Sequence, residues 1–133
     1  MATEPQRRLN GRTSSRQQLG ARSEELAARV LTSRGYRIAA RNVRYPVGEL
    51  DLVAWDGDTL CFVEVRATSS SQWGGGLASI TPDKRRRLIR AARWYLARGA
   101  EPPREVRFDV VAIQWDVPAS PTSELVQGAF TAD

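Results

Sequence analysis

Apolar residues recur at helical spacing early in the chain. Leu26, Ala27, Val30 and Leu31 cluster on one face, and Gly35 stands where a C-terminal cap belongs. The spacing predicts a helix from about Arg16 to Arg34. At roughly 100° per residue, Glu24 borders the apolar stripe and Glu25 points nearly opposite, four residues before Arg29 in a common solvent pairing. A carboxylate beside a core is costly unless a cation meets it, which sets Glu24 apart from Glu25.

Period-two patterning follows. Tyr36 to Asn42 alternates weakly and reads as a strand. Glu49 to Trp55 alternates clearly, with Leu50, Leu52 and Ala54 on one side and Glu49, Asp51 and Val53 on the other. An Asp56-Gly57-Asp58 turn joins it to Thr59–Ala67, so the two strands form a hairpin. There Glu64 and Arg66 share a face with Leu60 and Phe62, while Cys61, Val63 and Val65 line the other. Apolar residues on both faces mark a central strand covered on both sides.

A glycine-rich loop carrying Trp73 comes next; its ring offers either a base-stacking surface or a loop anchor. Thr81-Pro82-Asp83 is a helix start: a capping hydroxyl, proline at the first helical position and an acid at the positive end. This helix runs to about Arg98, with Leu88, Ala91, Ala92 and Tyr95 buried and Lys84 on the same face one turn earlier. Arg86, Arg90 and Arg93 form a cationic ridge opposite. Glu105 to Trp115 is another long strand, and the remainder reads as loop with a short pairing at Leu125-Val126. The order is helix, three strands, helix, strand, an α/β class with one mixed sheet.

Composition narrows the chemistry. The 133 residues contain no His, one Cys and 20 Lys+Arg against 15 Asp+Glu. One domain is expected at this length, over residues 16–133, with residues 1–15 as a flexible basic tail bearing Arg7, Arg8 and Arg12. Histidine-based triads, histidine metal sites, disulfides and cysteine zinc clusters are excluded, which leaves carboxylates, cations and hydroxyls. That inventory suits a hard, oxygen-liganded ion such as Mg2+, with Mn2+ as the substitute. The basic excess is nineteen arginines and a single lysine, Lys84, and a net charge of +5 makes a polyanion a natural partner. No apolar run reaches membrane-spanning length and no secretory signal is visible, so a cytoplasmic location is expected.

The charged groups converge on one constellation. Asp51 on one strand and Glu64-x-Arg66 on its neighbour are separated by about twelve residues. Residues i and i+2 of a strand point the same way, so Glu64 and Arg66 face Asp51 if the register is right. Two such carboxylates hold a divalent ion, and a nearby cation stabilises charge on phosphorus.

The stretches SEELAARVLTSRGYRIAARNVR, GELDLVAWDGDTLCFVEVRA, GGGLASITPDKRRRL, YLAR, VRFDVVAI and GAF resemble the YraN-type proteins of bacteria over nearly the whole chain. Those proteins are similar to the PD-(D/E)XK, restriction-endonuclease-like superfamily, whose nearest characterised members here are archaeal Holliday junction resolvases. The resemblance implies an α-β-β-β-α-β core, a Mg2+-dependent endonuclease site and a product with a 5′-phosphate. It assigns catalytic roles to Glu24, Asp51, Glu64 and Arg66, with Asp51 and Glu64 on the metal. Glu49 lies in the family's G-E-[IL]-D-L pattern and is carried as a third metal candidate, although a hydrogen bond to the turn at Gly48 fits it at least as well. Arg66 replaces the superfamily's lysine and, being permanently protonated, is no general base. Lys84 is expected to supply the second cation. Arg86, Arg90 and Arg93 are expected to grip nucleic acid, DNA rather than RNA, without sequence preference. Branched substrates have two-fold symmetry, which favours a homodimer. The alternative is a nuclease-fold module that binds nucleic acid and cleaves nothing. The strand pair Arg107 and Asp109 reads as structural, and Cys61 as a buried core residue.

Overall fold

A computed structural model describes residues 15–68, 80–99, 101–115 and 120–132. The tail read over residues 1–15, apart from Ser15, and the loop with Trp73 lie outside them. The elements are α1 (Ser15–Ser33), β1 (Arg37–Tyr45), β2 (Gly48–Asp56), β3 (Thr59–Thr68), α2 (Pro82–Arg98), β4 (Glu105–Gln114) and β5 (Thr122–Phe130). They form an α/β fold with the expected α-β-β-β-α-β core and one further strand.

The five strands lie in sequence order in one mixed sheet, antiparallel throughout except where β3 pairs with β4 in parallel. A parallel pair needs a crossover, and α2 supplies it. Leu88, Ala91 and Ala92 of α2 pack with Leu50, Val53, Leu60, Phe62, Phe108 and Val110 on one face of the sheet. Ala27, Ala28 and Leu31 of α1 cover the other face with Leu52, Ala54, Cys61, Val63, Val111 and Ile113. β3 is thus buried on both sides, as its two apolar faces require.

The local signals act where they are written. Thr81 Oγ1 accepts the Lys84 backbone N–H at 3.2 Å and Pro82 opens α2. Gly35 has φ +91°, and Tyr36 N donates to Leu31 O at 3.0 Å behind it, closing α1. Gly48 serves a close approach: a Cβ there would lie 2.9 Å from the Arg87 carbonyl oxygen of α2.

Three expectations are corrected. The C-terminal stretch, expected as mostly loop with a short pairing at Leu125-Val126, pairs there but over a longer span, as the edge strand β5 with Val110↔Val126 and Ala112↔Glu124 in register with β4. Its pattern was illegible because β5 is half exposed and Gly128, at φ +64°, breaks its phase beside a register shift at Phe108/Val110. Strand β1 also runs on past Asn42 to Tyr45, which pairs with Gly48.

The third correction positions the site. Leu50 does not share a face with Leu52 and Ala54; it packs with Val53 on the α2 side, while Leu52 and Ala54 face α1. On β1, Ala40 and Val43 likewise both join the α2-side cluster although they are three residues apart. The pairs Arg41↔Leu52 and Val43↔Leu50 place Asn42 opposite Asp51 at this level. Both strands therefore lose phase together, with Asn42 and Asp51 as the residues outside the alternation. β2 and β3 part company at the same point, their pairing ending at Leu52↔Val63.

Candidate active site

The parting of β2 from β3 leaves the Val65 N–H without a strand carbonyl, and a backbone donor inside a sheet needs an acceptor. Asp51 supplies it: Oδ2 accepts the Val65 N–H at 2.9 Å. The Glu64 carboxyl lies beside it, near enough for each acid to perturb the other. Glu64 is 9% exposed, and Lys84 Nζ reaches its Oε2 at 3.5 Å from the first turn of α2.

The electrostatics follow from burial and like charge. Burial, then the charge of Asp51, pushes the Glu64 carboxyl well above its ordinary range, against the pull of Lys84. Burial also raises Asp51, opposed by the Val65 N–H, Glu64 and Lys84. Glu24, reaching in from α1, is raised by burial and then by Asp51, with an Asn42 hydrogen bond opposing. Glu49 raises it further and Arg44 lowers it.

Asp51, Glu64 and Lys84 thus come together from two strands and α2, with Glu24 of α1 near enough for the charge of Asp51 to raise it. Glu49 stands at the rim, exposed, its Oε2 3.9 Å from Arg44 Nε. Arg66 is half-buried two residues beyond Glu64 on β3. Arg86 pairs with Asp83 within α2, and Arg90 and Arg93 are exposed, so the ridge lies on the outer surface of that helix. Glu25, as its position predicts, stays outside and bonds Arg41 at 3.0 Å and Arg29 at 3.6 Å.

Asn42 was missed. In the amide orientation that satisfies both its ends, it donates to Glu24 Oε1 at 2.8 Å and Oε2 at 3.3 Å. The one signal was an asparagine ending a weakly alternating run, too common to single out.

Among the described residues no three His, Cys, Asp or Glu side chains are grouped so as to hold a metal ion, so neither Glu24 nor Glu49 joins Asp51 and Glu64 as a third ligand. The neighbouring pair Asp51 and Glu64 fits Mg2+, which keeps several waters and needs one or two carboxylates. Two neighbouring buried acids both stay ionised only where a cation offsets their repulsion.

On the α1 face a second polar cluster is closed on itself. Asp109, 0% exposed, accepts from Arg107 Nε (2.9 Å), Tyr36 Oη (2.9 Å) and Gly128 N (3.0 Å). Tyr36 Oη in turn accepts from Gln127 (2.8 Å) and Arg107 (2.9 Å), and Arg107 reaches Asp56 at 2.8 Å. This satisfied network ties β2, β4 and β5 together, and the Arg107–Asp109 pair belongs to it. Cys61 beside it is buried, its thiol pushed up to about 12 by burial and then by Asp109.

No helix among the described residues is long and apolar enough to cross a membrane. A family model described as "Uncharacterised protein family UPF0102" matches residues 23–113. A UPF0102 protein of Desulfosudis oleivorans is 43% identical over 120 residues, 90% of this chain and 95% of its own. One from Symbiobacterium thermophilum is 46% identical over 115 residues, 86% of this chain and 97% of its own. One from Herminiimonas arsenicoxydans is 48% identical over 100 residues, covering 75% and 80%. The matched span runs from just before Glu24 through β4 and takes in Asn42, Asp51, Glu64 and Lys84. The chain belongs to the UPF0102 family, to which the YraN-type resemblance pointed.

Proposed function

We propose that the chain is a metal-dependent endonuclease that hydrolyses nucleic-acid phosphodiesters, DNA in preference to RNA and branched structures in preference to specific sequences, as a homodimer. The observation that carries this is the Asp51–Glu64 carboxylate pair, held side by side at the fork of β2 and β3 with Lys84 Nζ 3.5 Å from Glu64. A buried acid pair is costly to keep in a fold, and a cation between its members removes the cost.

Asp51 and Glu64 would hold the ion, with Glu49 at the rim as an outer carboxylate. Bound Mg2+ would supply charge neutralisation at the phosphate and a more acidic water. The Asp51 and Glu64 carboxyls would be favoured in their ionised forms by a divalent ion between them, against the burial and like charge that raise Glu64. Glu24 positions the attacking water, and burial beside Asp51 raises its carboxyl above the ordinary range, which makes it a better proton acceptor than a free carboxylate. Arg66 and Lys84 stabilise the charge that grows on the phosphate oxygens. Arg86, Arg90 and Arg93 hold the backbone without reading bases.

The test is cleavage of labelled single strand, duplex, flap and four-way junction with Mg2+, Mn2+ or chelator, for wild type, Asp51→Asn and Glu64→Gln. Metal-dependent cutting that both substitutions abolish supports the proposal. Salt-sensitive binding with no cutting under any metal overturns it in favour of a second reading, a nuclease-fold binding module. Arg66 in the usual lysine position favours that second reading, since a permanently charged guanidinium takes up no proton.

A further inference from the structure

Asn42 has φ +51° and is the one non-glycine residue with positive φ among those described. Glycine takes that conformation freely; asparagine is the side chain that tolerates it best. It occurs where β1 and β2 lose phase together, and the flanking pairs put Asn42 directly across from Asp51. A left-handed residue inside a strand swings its side chain out of the alternation. Here the swing delivers the amide to α1, where it donates to both oxygens of Glu24 at 2.8 and 3.3 Å. Glu24 has a further neighbour in Arg44, whose charge also favours its carboxylate. Uncommon backbone geometry of this kind gathers where a side chain must be aimed.

We infer that Asn42 is a positioning residue, which aims the Glu24 carboxylate at the Asp51–Glu64 site through its paired amide donation, while its left-handed backbone places Asp51 across from it. The inference rests on the metal-dependent reading proposed above. Asn42 touches neither ion nor substrate; it acts through Glu24. The β1–β2 irregularity is thus one device serving two acids: it releases Asp51 to bond Val65 N and it carries the donor that orients Glu24.

The experiment is calorimetric Mn2+ titration and Mg2+-dependent cleavage for wild type, Asn42→Gly, Glu24→Gln and the double variant, each with a thermal melt. Glycine keeps the left-handed backbone and deletes only the amide. Asn42→Gly is expected to melt near wild type and to bind Mn2+ as wild type does, while Mg2+-dependent cleavage falls about tenfold, the usual cost of losing an outer partner of a site residue. The double variant is expected to match Glu24→Gln alone, because the amide has nothing left to aim. A wild-type cleavage rate in Asn42→Gly, independent losses in the double variant, or a collapse of the melt in Asn42→Gly would each overturn the inference while leaving the proposed function standing. A wild-type protein that binds no Mn2+ overturns the metal-dependent reading itself, and the inference with it.

Discussion

The Asp51 carboxylate takes the place of a strand carbonyl on the Val65 N–H, at 2.9 Å, at the point where β2 and β3 separate. That bond anchors one acid of the site in the plane of the sheet. It also leaves the second acid, Glu64, facing Asp51 across the fork with Lys84 above it. A regular ladder would satisfy Val65 with main chain and leave Asp51 pointing to one face only.

The acid pair makes metal-free stability depend on pH. Both carboxyls are raised in the folded chain, so the folded state holds protons that the unfolded state has already released. Their contribution is most favourable below the ordinary carboxylate range and is lost as pH rises towards the raised value of Glu64. Metal-free melts between pH 4 and 9, on the order of that whole range, should show this decline, and Glu64→Gln should flatten it. Mn2+ at about a hundred times its dissociation constant should restore about 2.7 kcal/mol at pH 8 in wild type and much less in Glu64→Gln.

Lys84 is the single lysine of the sequence, and its ammonium lies 3.5 Å from Glu64. Lys84→Ala should leave the melt within a few degrees of wild type and lower Mg2+-dependent cleavage by about ten- to a hundredfold, the range for a lost charge-stabilising donor. Single-turnover rates at saturating substrate read this directly, and an unchanged rate removes Lys84 from the mechanism.

Gly48 packs against α2 with no room for a methyl group, 2.9 Å from the Arg87 carbonyl oxygen. Gly48→Ala should cost about 1–3 kcal/mol, as overpacking does. Gly20, in α1 with nothing within 4 Å, is the control. Gly20→Ala should stabilise by about 0.5–1 kcal/mol, since glycine is a poor helix former. Denaturant midpoints of the two variants should move in opposite directions.

Tyr36 Oη is shared by Asp109, Arg107 and Gln127. Tyr36→Phe strips one partner from each, and the buried Asp109 feels the loss most. Urea unfolding should show about 1–3 kcal/mol of destabilisation. Mn2+ affinity should stay at the wild-type value, because this network is separate from the acid pair.

Arg90 and Arg93 stand exposed on the outer face of α2. If they contact phosphates, each change to Ala should weaken binding of every nucleic-acid form alike. The slope of log affinity against log salt should also fall by about one for each. Fluorescence anisotropy over a salt series measures both.

Much of this protein was written in local pattern. The helix face of Leu26, Ala27 and Leu31, the two apolar faces of β3 and the Thr81-Pro82 start of α2 each follow from spacing and capping, which depend only on neighbours in the chain. The same spacing separated Glu24 from Glu25 and put Glu64 and Lys84 on the side of the sheet they share. What local pattern misassigned was the phase of β2, because Leu50 and Leu52 alternate in sequence but not in the sheet. The change of facing at Asn42 and Asp51 occurs in both paired strands without a change of register, and neither strand alone records it. β5 was hidden for a related reason: its ladder is supplied by β4, and its exposed edge imposes no alternation on its residues. The residue types for the chemistry were present in the chain, while the approach of Asp51 to Glu64, and the amide of Asn42 on Glu24, were decided only by pairing between distant segments.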